Sequence, residues 1–145
     1  MKHAITILFA TALILSGCGI KRDNPLDPIG NPDIMVPATV ANVTCTPSPA
    51  GAANKFVEVR WTANSPLNTD GYFVYRGLSF FSEFTVVDTV FTNICNHGSE
   101  PWQTVFPGTY WYKVSAFKDI KDSQQNILGR LEGRLSEARA VIVPA

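Results

Sequence analysis

The sequence predicts an all-β domain, an antiparallel sandwich of about seven strands. Two observations carry that expectation. From Val40 onward, short runs of alternating apolar and polar residues are separated by Gly, Pro, Asn and Asp. No stretch of this span shows the 3.6-residue period of an amphipathic helix. With 145 residues the chain has room for one ordinary domain and a leading segment, and 46% apolar against 17% charged residues is enough for a core.

The strands follow in order. Val40 to Thr46 is the first. Phe56-Val57-Glu58-Val59-Arg60-Trp61 alternates cleanly and places Val57, Val59 and Trp61 on one face. A turn at Asn68-Thr69-Asp70-Gly71 leads into Tyr72-Phe73-Val74-Tyr75-Arg76. Phe84 to Val90 is the next strand, and Trp102 to Phe106 a short fifth one. Pro107-Gly108-Thr109 turns into Tyr110 to Phe117, and Arg139 to Val143 closes the domain.

Certain residues carry a family likeness by their order and spacing. They are Val59-Arg60-Trp61, Gly71-Tyr72-Phe73-Val74-Tyr75-Arg76, Pro107-Gly108-Thr109-Tyr110 leading to Val114-Ser115-Ala116, and Ser136-Glu137 before the last strand. From about Pro37 to Pro144 the chain resembles the fibronectin type III family. The resemblance implies an immunoglobulin-like sandwich over residues 37–145, with Trp61 as its core tryptophan. It also implies that the Tyr110 hydroxyl pins the corner before its strand. The segment from Lys118 to Leu135, with Gly129 and Gly133, is longer than the family pattern and has room for an extra hairpin.

The front of the chain reads differently. Met1-Lys2-His3 is a short positive start, and Ala4 to Leu15 is apolar apart from Thr6 and Thr11. Ser16-Gly17-Cys18-Gly19 follows. That is the order of a secretory signal, and the apolar run is shorter than the roughly 20 residues of a membrane span. Leu15-Ser16-Gly17-Cys18 resembles the lipobox of bacterial lipoproteins. The resemblance implies a signal peptide over residues 1–17 and acylation of Cys18. Two or three acyl chains would make a lasting membrane anchor. Gly19 in place of Asp points towards the outer membrane of the cell envelope.

Residues 18–36 hold the lipidated cysteine and a tether rich in Pro and Asp, Lys21-Arg22-Asp23-Asn24-Pro25-Leu26-Asp27-Pro28. Proline fixes its own backbone and biases its neighbour to extended shapes, so the segment reads as a semi-rigid spacer. Asp23, Asn24 and Asp27 could offer oxygens to Ca²⁺, but the Gly-punctuated spacing of a calcium loop is missing.

Charge excludes one function class. Twelve basic residues balance twelve acidic ones, and removing Lys2 with the signal leaves eleven against twelve. With no basic cluster to neutralise phosphates, nucleic acid is not an expected partner.

Reactive groups are few. Beyond Cys18 only Cys45 and Cys95 remain, and export would place them where a disulfide can form. In the family topology Cys45 lies on the first strand, inward like Val43, and Cys95 in the connection before Trp102. A Cys95 on the fifth strand would be separated from Cys45 by the second, beyond the roughly 7 Å Cα limit for a bridge. The disulfide therefore requires Cys95 in a loop that folds back over the sandwich end; a buried thiol is the other state open to Cys45. Signal removal leaves one histidine, His97. Together with Cys45 and Cys95 it lacks the paired spacing of a zinc site. Ser99 and Glu100 beside it are too near in sequence to argue a triad. We expect no catalytic residue, no metal and no cofactor, hence no enzyme.

Alternation that turns Tyr72 and Val74 inward turns Phe73 and Tyr75 outward. In the same way inward Tyr110, Tyr112 and Val114 leave Trp111 and Lys113 outside. Because the third and sixth strands are neighbours in the resembled fold, Phe73, Tyr75, Trp111 and Lys113 form the candidate binding face, with Phe80 and Phe81 nearby. Such a face can stack on sugar rings or dock another envelope protein. Alternatively, Lys118 to Leu135 can cover it as a second small core. The expected function is a lipid-anchored, non-catalytic interaction or structural module of the cell envelope. A carbohydrate-binding or adhesin-type surface lipoprotein is the alternative.

Overall fold

Apolar side chains at every second position decide which side of a strand turns inward, as in Val57-Glu58-Val59-Arg60-Trp61, where the three apolar residues are buried. In the computed structural model residues 34–145 are described. The signal segment, Cys18, the Gly19 position, the tether to residue 33 and its Asp23, Asn24 and Asp27 lie outside the described residues. The strands are β1 (Ala41–Pro47), β2 (Val57–Thr62), β3 (Gly71–Gly77), β4 (Thr85–Val90), β5 (Ile94–His97), β6 (Gly108–Lys121), β7 (Ile127–Glu132) and β8 (Arg139–Val143). One sheet has the order β1-β2-β5. The other runs β4-β3-β6-β7, with β8 also on β6. Every pairing is antiparallel.

The two sheets close over one core. Val57, Val59 and Trp61 of β2 meet Tyr72 and Val74 of β3, Tyr110, Tyr112, Val114 and Ala116 of β6, and Val141 and Val143 of β8. Each valine among them, fully buried, contributes about 1.5–3 kcal/mol. Trp61 stands edge-on to Tyr72 with ring centroids 5.1 Å apart. The Tyr110 hydroxyl accepts from the Phe106 N–H at 3.2 Å and donates to the Phe106 carbonyl at 3.1 Å, tying down the corner before β6.

At 14 residues, β6 is long enough to serve three partners. One edge pairs with β3 along Trp111–Phe117; the other pairs with β8 along Gly108–Tyr112 and with β7 along Phe117–Lys121. The long segment after Phe117 is thus a hairpin, the strand beyond the expected seven. Its turn is held by Asp122, whose Oδ1 accepts from the N–H groups of Gln124 (2.8 Å) and Asn126 (2.9 Å).

One expected strand is corrected. Trp102 to Phe106 lies in the loop after β5, between Pro101 and Pro107, and the fifth strand is Ile94–His97. Proline cannot donate to a ladder, and the inward positions of the real strand are Cys95 and His97, which do not read as a hydrophobic alternation. The Cys45–Cys95 disulfide falls with it. Both cysteines are free. Cys45 pairs with Val59, and Val59 pairs with Cys95 on its other side. Two strand spacings of about 4.8 Å put them too far apart to bridge.

The chain enters at one pole. Asn64 Nδ2 donates to the Ala38 carbonyl (2.7 Å) and Asn68 Nδ2 to the Val36 carbonyl (3.2 Å), so residues 36–38 lie against the β2–β3 loop. The Gly51 N–H donates to the Ala145 carbonyl at 3.0 Å, which places the C-terminus beside the β1–β2 loop. Strand direction then brings the β3–β4 and β5–β6 loops to that same far pole.

Candidate binding surface

The outer face of the second sheet divides into a covered half and an open half. In the covered half, Phe73 lies 4.8 Å from Phe117 between centroids, and the Arg130 guanidinium sits 3.8 Å above the Phe117 ring. Phe91 closes a third side at 6.2 Å. Phe117 is fully buried although it points away from the sandwich core. Asp119 holds Arg130 in place through two hydrogen bonds of 2.5 and 3.0 Å. The Tyr75 hydroxyl donates to Glu132 Oε1 at 2.6 Å, and Ser115 Oγ donates to the same oxygen. Burial, then the hydrogen bond and charge of Glu132, push the Tyr75 phenol up to about 12. The β6–β7 hairpin therefore spreads over Phe73 and Tyr75 and engages the tyrosine's polar end.

The open half is built around the β3–β4 turn. Ser82 Oγ accepts from the Leu78 N–H (3.0 Å) and the Ser79 N–H (3.1 Å) and donates to the Ser79 carbonyl (2.9 Å). A hydroxyl bonded three ways holds a short loop in one shape. Phe80 packs edge-on to Trp111 at 5.3 Å and Phe81 edge-on to Phe80 at 5.0 Å. Phe81 is left 92% exposed, and Leu78 of the same turn is exposed too. Lys113 Nζ lies 4.2 Å above the Phe84 ring, a cation–π contact. Of the four residues expected on this face, Trp111 and Lys113 border the open cluster, and Phe73 and Tyr75 belong to the covered one. All four are half-buried.

A second group of side chains gathers between the sheets. His97, 2% exposed, has its Nδ1 2.7 Å from the Tyr112 hydroxyl. Burial, followed by the charge of Arg76, lowers the His97 pKa to about 4, so the imidazole is neutral at neutral pH. Burial likewise raises the Tyr112 phenol and pushes both the Cys45 and the Cys95 thiols up to about 12. The Cys95 thiol donates to Asp88 Oδ2 at 3.5 Å. These are unreactive, protonated thiols. Among the described residues no three His, Cys, Asp or Glu side chains converge to hold a metal.

This interior opens through a cleft of about 390 Å³ lined by Arg76, Thr85, Val87, His97, Trp102 and Gln103. Arg76 has no carboxylate partner among the described residues. Trp102 is 76% exposed. Across the β5–β6 loop lies a larger cleft of about 640 Å³ that includes Lys55, Glu100 and Phe106. Periodicity could not show the smaller cleft: Arg76 occupies an inward position where an apolar residue is expected, and Trp102 was assigned to a strand.

No protein-family model matches the chain, and no curated protein sequence does. Solved structures do. A Fn3-like protein from Clostridium thermocellum superimposes with a TM-score of 0.53 at 16% identity, over 77% of this chain and 97% of its own. The FN5 domain of Drosophila Lar gives 0.47 at 20% identity, over 76% of this chain and 99% of its own. The strand order and the first of these likenesses define the class: this is an immunoglobulin-like β-sandwich of fibronectin type III form. Fold alone does not assign a function, which has to be argued from the surface.

Proposed function

We propose that this chain is a lipid-anchored protein of the bacterial cell envelope whose sandwich is a non-catalytic interaction module for another envelope protein. The observation that carries the reading is the aromatic cluster in which Phe81 and Phe80, on the Ser82-held turn, pack in series onto Trp111 of β6. Exposed rings on a pre-shaped loop offer contact area at small entropic cost, and aromatic anchors dominate the energetics of protein interfaces. Polarity of the domain supports it as well. The described chain enters beside the β2–β3 loop, and the aromatic turn lies at the other pole. The tether from Gly19 to Val36 reaches about 60 Å when extended, and Gly19 supports outer-membrane residence.

The test has two arms. Cys18→Ser is expected to release a folded protein from membranes. Affinity purification from detergent-solubilised envelope is expected to bring down a protein with the natural chain and to lose it with Phe81→Ser. Unchanged membrane attachment of the first variant, or an unchanged set of co-purifying proteins with the second, would refute the corresponding half. A carbohydrate-binding or adhesin-type role is the second reading, favoured by the exposed Trp102 sharing a cleft with Arg76, which has no ion pair among the described residues.

A further inference from the structure

We propose that the cleft between Arg76 and Trp102 binds a carboxylated sugar unit of an acidic polysaccharide. This rests on reading the domain as a binding module and names a ligand class for a second surface of it. Arg76 sits on the inward side of β3, paired across the ladders with Thr85 and Tyr112. Its guanidinium lies 5.5 Å from the centre of the Tyr110 ring and has no ion pair among the described residues. A half-buried guanidinium keeps its charge and presents a planar fork matched to a carboxylate. The facing groups suit the rest of a sugar. Trp102 offers an aromatic face, and Thr85 and Thr104 offer hydroxyls along the same cleft. Gln103 fixes the wall: its Nε2 donates to the Val87 carbonyl at 3.3 Å, and its Oε1 accepts from the Gly98 N–H at 3.1 Å.

The neighbouring cleft does not extend the idea along a chain. Gln103 and Thr104 line both clefts, so the β5–β6 loop is the wall between them. Lys55 Nζ in the larger cleft is buried, has no hydrogen-bond partner among the described residues, and so is not presented to a ligand. Glu100 in that cleft opposes an anion, which leaves the Arg76 side as the principal subsite.

Calorimetric titration of the full-length, detergent-solubilised protein tests this with three probes. They are penta-galacturonate, the same oligomer with its carboxylates methyl-esterified, and penta-glutamate peptide. The acid oligomer is expected to bind, and both the ester and the Arg76→Gln variant to lose about tenfold or more in affinity. Trp102→Ala should lose several-fold, and since Trp102 is exposed, it stands in should Arg76→Gln fail to fold as judged by circular dichroism. Equal binding of acid and ester, affinity unaltered in the variants, or no binding of the acid at millimolar concentration would overturn the proposal. Preferential binding of the glutamate peptide would overturn it in favour of an acidic peptide. A co-purifying envelope protein that depends on Phe81 would survive any of these results, so the two readings fail separately.

Discussion

Gly71 on β3 lies opposite Phe117 on β6, and a Cβ built at Gly71 would stand 2.5 Å from the phenyl Cζ and 2.9 Å from the Val90 carbonyl oxygen. The ring occupies the space that a side chain would take, and Arg130 seals it from above. Overfilling a packed site typically costs about 1–3 kcal/mol. Gly71→Ala should therefore lower the unfolding free energy by an amount in that range, read as a lower urea midpoint at unchanged slope. Adding Phe117→Leu should recover only part of it, because the Val90 carbonyl remains. A midpoint equal to that of the natural protein would show that the outer cluster yields.

The neutral His97 makes stability depend on pH. Its folded pKa of about 4 lies below the 6.5 of an exposed histidine, with burial as the main cause. The unfolded chain therefore takes up the proton first as pH falls. The contribution is fully present above pH 6.5, shrinks between 6.5 and 4, and is flat below that. Linkage sets its ceiling at about 3 kcal/mol. Unfolding midpoints measured from pH 7.5 to 4 should fall for the natural protein and fall less for His97→Gln; parallel curves would refute the assignment.

Tyr110→Phe removes one hydroxyl that holds both the N–H and the carbonyl of Phe106. The ring keeps its packing, so the loss is that of the hydrogen bonds, about 1–2 kcal/mol. Equilibrium unfolding should show that drop with an unaltered denaturant slope. No drop would mean that water replaces the corner contact at no cost.

Cys45 and Cys95 should remain thiols even in an oxidising medium. Burial pushes both up to about 12, so neither presents much thiolate at neutral pH. Purified without reductant, the protein should resist alkylation while folded and take up label at both positions once unfolded, as read by peptide mass spectrometry. Label at neither position in the unfolded chain would indicate a bridge, and with it a different register for β5.

Much of the architecture was legible from alternation alone. Val57, Val59 and Trp61 face inward as the pattern of β2 predicts, and Tyr72, Val74, Tyr110, Tyr112 and Val114 do the same on β3 and β6. β5 was not legible. Its inward residues are Cys95 and His97, and His97 is tolerated there because a hydroxyl from β6 meets it. That contact joins two strands and leaves no trace in local periodicity. The candidate surface follows the same division. Outward placement of Phe73, Tyr75, Trp111 and Lys113 follows from the strand period. The sequence left room for a hairpin at Lys118 to Leu135 that could cover this face, but which rings stay uncovered was decided by where it delivers Arg130 and Glu132.

By itself the amino-acid order determined the side of the strand on which each residue of β2, β3 and β6 stands, because backbone geometry alternates with a period of two. Tertiary structure alone decided that Cys95 stands on β5, with Val59 between the two cysteines, and that Arg76 and Trp102 share a cleft. Pairings between distant segments are settled by how two layers fill one interior, and that is a property of the whole chain rather than of any window along it.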